Sequence, residues 1–232
     1  MVSTENSPEP IRRHVFVTGG TGYIGSRVIP LLLERGHRVR ALVRESSRSR
    51  LPNGCEAAVG DALDARTFAD AVAPCDTFLQ LVGTPRPSPA KAAEFERVDF
   101  VSARESASVA QQAGVRHFIY LSVAQPASVM RAYVDVRARG EALIRATGLP
   151  ATFLRPWYVL GPGHRWPYLL VPAYWLMRRI PSRRESAERL GLITLREMSR
   201  AIVRSVEELP VESPRIWDVP TLRRVGRALG GR

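Results

Sequence analysis

Cysteine is nearly missing: the chain has 232 residues and two cysteines, Cys55 and Cys75, with no Cys-x-x-Cys and no histidine at ligand spacing. This excludes a disulfide framework and a zinc site built on paired cysteines, and it places two thiols in the interior. Long apolar runs are missing as well. The longest, Tyr168 to Met177, is ten residues and contains Pro172, far short of the roughly 20 that cross a bilayer, so no transmembrane helix is expected. The opening stretch MVSTENSPEPIRR has acids and prolines where an export signal needs a basic start and an apolar run, so the expected location is cytoplasmic. Lysine is the third absence. Of 34 basic residues, Lys91 is the one lysine and the rest are arginine. Codon preference explains that bias more simply than recognition chemistry does, so any position that chemistry would assign to lysine becomes a test.

What is present is the composition of an ordinary folded domain, 45% hydrophobic and 24% charged. The net charge is +12, and +10 of it falls on residues 131–232. Such a surplus raises nucleic acid or an anionic membrane as a partner. No helix-turn-helix or zinc-finger pattern accompanies it, so specific nucleic-acid binding is not expected. The stretch YLLVPAYWLMRRI with its trailing arginines suggests peripheral membrane contact, against which Pro172 and the short length weigh.

The first 12 residues read as a disordered tail. HVFVTGG is then a short β-branched run ending in glycines, and in TGYIGSRVIPLLLERG the residues Ile24, Val28, Leu31 and Leu32 recur at helical spacing up to Gly36. HRVRALVR, Glu56 to Val59 and DTFLQLVG give three further strands, with a helix expected over Asp64 to Ala73. TPRPSP is a loop. A long helix fits Ala90 to Ala113, then HFIYLS is a strand, Ala132 to Thr147 a helix stopped by Gly148, and ATFLRP a strand. Strands and helices alternating in this way imply right-handed crossovers and an α/β, doubly wound parallel sheet over residues 13–156. Residues 157–232, aromatic and proline-rich at first and then helical from Thr194 to Glu208, are expected to form a small lobe over the cleft.

Gly19, Gly22 and Gly25 fall immediately after the first strand and at the opening of the first helix. Without Cβ atoms the chain turns sharply and lets a pyrophosphate approach the helix N-terminus, which points to a dinucleotide rather than to a tight turn alone. Thr21, Tyr23 and Ile24 lie in the same turn. Val82 and Gly83, after the fourth strand, are further candidate contacts. Arg44 ends the second strand 19 residues beyond Gly25, where an NAD site would place an acid on the ribose hydroxyls. Arginine suits the 2′-phosphate of NADP instead, with Ser46, Ser47 and Arg48 as additional donors, or is simply a solvated side chain. Asp61 is placed either for the adenine edge or for a helix cap.

TGGTGYIG, ALVR, GDALD, GVRHFIYLS and YVDVRARGEALIRATGLPATFLRPWYVLGPG together resemble the atypical and extended short-chain dehydrogenase/reductase superfamily, in its NAD(P)H-binding branch. The resemblance covers about residues 14–163. It implies hydride transfer at a carbonyl carbon, with Ser122 matching the family's serine, Tyr133 its tyrosine, and Pro156, Trp157 and Tyr158 its loop over the nicotinamide. Chemically the serine orients the carbonyl, the tyrosine exchanges the proton, and a cation four residues along the helix tunes the tyrosine. That cation is lysine in the family and Arg137 here, which is not a conservative exchange.

Three readings follow. The first is an NADP-preferring oxidoreductase acting on a small carbonyl-type or quinone-type molecule, with Arg137 on the nicotinamide ribose. The second is a cofactor-binding sensor without turnover, similar to the NmrA-like members. The third is a membrane-peripheral or complex-associated protein. Trp157, Trp166, Tyr168, Tyr174 and Trp175 suit either a substrate pocket or the core of the lobe, and His164 is a candidate acid or base.

Overall fold

In the computed structural model, which describes residues 11–162 and 190–229, the chain starts its sheet in the middle. Strand β1 (His14–Thr18) lies between β2 (Arg38–Val43) and β4 (Thr77–Gln80). β3 (Glu56–Val59) extends one side. β5 (His117–Leu121), β6 (Ala151–Leu154) and β9 (Arg215–Trp217) extend the other, giving the order β3-β2-β1-β4-β5-β6-β9 with every pair parallel. Because all seven strands run the same way, their carboxyl ends share one edge. The order reverses between β1 and β4, which opens a crevice at that edge.

Alternation along each strand feeds two cores. Phe16, Phe78 and Phe118 sit opposite one another in register on one face, with ring centroids 5.1 Å apart for each neighbouring pair. That face is covered by α2 (Ala69–Val72), α3 (Val101–Gln112) and α4 (Arg131–Ala146), through residues such as Val72, Ala107 and Ile144. Val15, Val17, Leu79 and Ile119 point the other way. They meet Ile29 and Leu32 of α1 (Gly25–Glu34), Ile202 of α5 (Leu195–Glu207) and Leu222 of α6 (Val219–Ala228). Cys75 is buried in the phenylalanine core and Cys55 is half-buried; burial pushes their thiols up to about 12 and about 11.

Strands β1 to β6 lie where the sequence pattern puts them. The helix expected over Asp64 to Ala73 is instead a 3-10 turn, Ala65–Thr67, followed by the short α2. Side chains explain the break: the Thr67 hydroxyl donates to the Asp64 carbonyl at 2.7 Å, and Phe68 leaves helical geometry to enter the core. The long helix expected over Ala90 to Ala113 contains a π-helical stretch, Phe95–Phe100, before α3. The α5 helix runs where expected and carries a reciprocal cap between Thr194 and Glu197.

Of the expected lobe, residues 163–189 lie outside the described residues, together with His164, Trp166, Tyr168, Tyr174, Trp175 and the stretch considered for membrane contact. The expected tail lies outside them over residues 1–10. Residues 190–229 supply β8 (Leu192–Thr194), which pairs in parallel with β7 (Tyr158–Leu160), and also α5, β9 and α6, which join the main sheet and its core. No helix among the described residues is long and apolar enough to cross a membrane.

Candidate active site

Gly19 adopts a left-handed conformation, φ 72°, and passes so close to the end of β4 that an added Cβ would lie 2.8 Å from the Leu81 carbonyl carbon. Its own carbonyl accepts from Gly22 N–H at 3.0 Å, which closes the turn. A Cβ on Gly25 would overlap that same carbonyl, so the helix packs against the strand only as glycine. No side chain caps α1 and no acid stands in its first turn, so its N-terminus is left for an anion. The residues therefore fit a dinucleotide pyrophosphate. Thr21 offers its carbonyl to Arg50 at 3.0 Å. The Tyr23 hydroxyl fills the space beside Gly161, tying the turn to the end of β7.

Arg44 stands at the carboxyl end of β2, exposed and, among the described residues, without a hydrogen bond or ion pair from its guanidinium. Arg48 is ion-paired to Glu45 at 3.8 Å. Ser46 is exposed and Ser47 buried, its N–H donating to the Arg44 carbonyl at 2.8 Å. Asp61 is exposed past β3, and its Oδ1 accepts from Leu63 N–H at 2.9 Å. It therefore closes a local turn, while Asp64 caps the 3-10 turn that follows.

The other half of the edge is closed. Ser122, after β5, is buried and donates its hydroxyl to Glu141 Oε1 at 2.6 Å. Glu141, 1% exposed, also accepts from Gln125 at 2.9 Å and from both nitrogens of the Arg155 fork at 2.9 and 2.6 Å. Tyr133 is half-buried in the first turn of α4. Its ring centroid lies 5.3 Å from the Arg137 guanidinium, so tyrosine and cation do share a helix face. Arg137 itself is 2% exposed and points into the protein, ion-paired to Asp99 at 2.7 Å and donating to the Leu121 carbonyl at 2.8 Å. Burial opposes its charge, but Tyr133, Tyr120 and Asp99 outweigh that and hold its pKa above the usual arginine value. Burial also raises the Tyr120 phenol.

A continuous path joins the two halves. Gly19 abuts Leu81 and Val82, Gly83 leaves the space that the Arg137 guanidinium fills, and Arg137 faces Tyr133. Pro156 is buried after β6, and its carbonyl accepts from Ala124 N–H at 2.9 Å. Sequence reasoning missed Arg50, Asp99 and Glu141. For Glu141 a signal existed: it lies four residues after Arg137 and three before the core residue Ile144, on the inward stripe of α4. A separate cleft of about 470 Å³ opens between residues 125–127, the outer face of α4 and Arg155; neither Tyr133 nor the glycine turn lines it.

A parallel sheet with a glycine turn at its switch point defines a Rossmann-type dinucleotide-binding protein. Comparison with known proteins makes this specific: residues 19–165 match the NAD(P)H-binding family, and the chain belongs to it, within the short-chain dehydrogenase/reductase and epimerase/dehydratase superfamily. Ceramide reductase of Caulobacter vibrioides is 30% identical over 152 residues, 64% of this chain and 47% of that protein. A 3-beta-hydroxysteroid dehydrogenase of Mycolicibacterium neoaurum is 32% identical over 46% of this chain and 31% of its own length. The chain thus spans less than half of the length of these relatives. Among solved structures, Bordetella bronchiseptica WbmH in complex with NAD+ superposes with a TM-score of 0.64 at 19% identity, covering 85% of this chain and 73% of that one. UDP-N-acetylglucosamine 4-epimerase from Bacillus cereus gives 0.65 at 15%, covering 96% and 83%. These two share the fold.

Proposed function

We propose that the protein is an oxidoreductase that prefers NADP(H) to NAD(H) and transfers hydride to or from a small carbonyl-type or quinone-type substrate. The observation that carries the reaction is the Tyr133–Arg137 contact at the carboxyl edge of the sheet, a proton-exchanging group beside a fixed cation. The bound nicotinamide supplies or accepts the hydride. Tyr133 then donates its phenolic proton to the substrate oxygen on reduction, its ring held in place against the Arg137 guanidinium. Ser122 orients the substrate by exchanging its Glu141 partner for the reacting oxygen. Gly19, Gly22 and Gly25 seat the pyrophosphate, with Thr21, Tyr23 and Ile24 in the same turn. Val82, Gly83 and Pro156 line the route to the nicotinamide, Asp61 takes the adenine edge, and the unpaired Arg44 takes the 2′-phosphate.

A second reading, a cofactor-binding sensor without turnover, is favoured by one observation: Ser122 is bonded to Glu141 and Arg137 is ion-paired to Asp99, so each has a protein partner in the absence of a ligand. Titration with NADPH, NADH and their oxidised forms, followed by a hydride-transfer screen over carbonyl compounds and quinones, separates the two. With a substrate in hand, Tyr133→Phe should cut turnover by about a hundred- to ten-thousand-fold and leave cofactor affinity nearly unchanged. Turnover at the original rate would remove Tyr133 from the mechanism. Tight cofactor binding with no hydride transfer to any compound would favour the sensor.

A further inference from the structure

The inward face of α4 presents Tyr133, Arg137 and Glu141 on successive turns, and the element opposite the first two is the π-helical stretch Phe95–Phe100. Two rungs connect them. Phe95 meets Tyr133 with ring centroids 5.0 Å apart, and Asp99, four residues on, meets Arg137 with Oδ1 2.7 Å from Nη2. The other oxygen of Asp99 accepts from the backbone N–H and the hydroxyl of Thr84 at 2.9 and 2.6 Å. The arginine is clasped from the far side by the Leu121 carbonyl, and Gly83 has no room for a side chain beside it. Both charges are out of solvent, the side chains 3% and 0% exposed. π-Helical turns inside α-helices often mark functional positions, and this one places an acid where the cation needs a counter-ion.

We propose that Asp99 is a positioning residue of the reaction centre: it holds the Arg137 guanidinium between Gly83 and the Tyr133 ring and makes it half of a closed, neutral pair rather than a free cation. Arginine is accommodated at 137 because its planar fork reaches Asp99 and the Leu121 carbonyl at once, which a single ammonium does less well. The pair also keeps the guanidinium in the wall of the site, away from the path of a cofactor. The inference rests on the proposed role of Tyr133, and it is tested without a substrate.

The charged and titratable groups that meet at the pair are Asp99 from the π-helical stretch, Tyr133 and Arg137 from α4, and Tyr120 from β5; the loop after β4 contributes the Val82 carbonyl and Thr84. The experiment follows the phenolate absorbance of Tyr133, assigned by difference against Tyr133→Phe, through an alkaline titration with folding monitored by circular dichroism. Asp99→Asn leaves Arg137 uncompensated, so the Tyr133 signal should move to lower pH by about one unit, a roughly tenfold rise in its ionisation constant. In Asp99→Asn/Arg137→Met no charge is left unpaired, and the signal should return close to its position in the unmodified protein. A folded Asp99→Asn with an unmoved signal would overturn the proposal. So would a double variant whose signal moves upward by about a unit or more, since Arg137 would then have been acting as a free cation. If Asp99→Asn does not fold, the double variant decides alone. Absence of hydride transfer with the shift present rejects the reaction and keeps the pair; hydride transfer without the shift does the opposite.

Discussion

Among the described residues, Arg44 at the end of β2 is exposed with its guanidinium unpaired, and the N-terminus of α1 after β1 has no side-chain cap. Across the crevice, at the ends of β4 and β5, Asp99, Arg137, Ser122 and Glu141 are all buried and all bonded to one another or to neighbouring protein groups. One side of the edge waits for an anion from outside; the other has supplied its own counter-charges. Function can be read directly from the first side and only indirectly from the second. Unpaired donors at an accessible turn imply a ligand, whereas a buried network that supplies its own counter-charges implies first that the network holds the protein together and only then that it shapes chemistry.

The comparison can be broken most forcefully at Glu141. Removing its carboxylate in Glu141→Ala leaves Arg155 without its bidentate partner in a largely buried site and strips Ser122 and Gln125 of their acceptor. Breaking a buried pair from one side costs about 3–5 kcal/mol. Urea unfolding should therefore show a large drop in midpoint. A loss no greater than that of a surface alanine substitution would mean the closed half is not structural.

Acid probes the opposite, amino-terminal end of the same strand β5. His117, at the start of β5, is fully buried with Nε2 2.8 Å from the Thr152 hydroxyl, and burial, aided by Arg215 and Arg13, lowers its pKa from 6.5 to about 3. A folded pKa below the unfolded one means that the unfolded chain takes up the proton first. The contribution is complete above pH 6.5 and is lost as the pH falls from there toward about 3, by as much as a few kcal/mol. His117→Gln, which does not titrate, should flatten the acid side of the stability curve measured by urea unfolding at stepped pH. An unchanged slope would show that His117 is protonated in the folded protein.

How much of this was legible in the sequence follows from the length and cause of each feature. Strands β1, β2, β4, β5 and β6 show themselves as apolar runs rich in β-branched and aromatic residues, the short β3 (EAAV) by its place before the GDALD turn, and the glycine turn is a spacing. β7, β8 and β9 are three residues each, too short for alternation to register. α6 was missed although Asp218 caps it and Pro220 stands in its first turn, a start signal that the surrounding arginines obscured. The π-helical stretch has no local signature, because what draws Asp99 inward is Arg137, which comes from a different helix. The family pattern aligns Arg137 with a lysine and so points to a cofactor contact, whereas the side chain turns inward to Asp99. A residue's type and its place on a helix face are visible in sequence, but the partner that fixes its direction is not.

The open half gives the smallest of the expected effects and the sharpest test of the contrast. If Arg44 is unpaired because it awaits the 2′-phosphate, NADPH should bind more tightly than NADH. Replacing Arg44 by Asp should then reverse or abolish the preference, because the carboxylate repels the phosphate and suits the free ribose hydroxyls. A charge-assisted bond to phosphate is worth about 1.5–3 kcal/mol, roughly ten- to a hundred-fold in affinity. Since the Arg44 guanidinium makes no hydrogen bond or ion pair among the described residues, the substitution should leave the stability within about 0.5 kcal/mol of the original. This combination, a large change in ligand preference with almost none in stability, is the inverse of what Glu141→Ala should show. Equal affinity for both cofactors in the unmodified protein would remove the assignment of Arg44 and would leave Arg50, held at the glycine turn by the Thr21 carbonyl, as the next arginine to test.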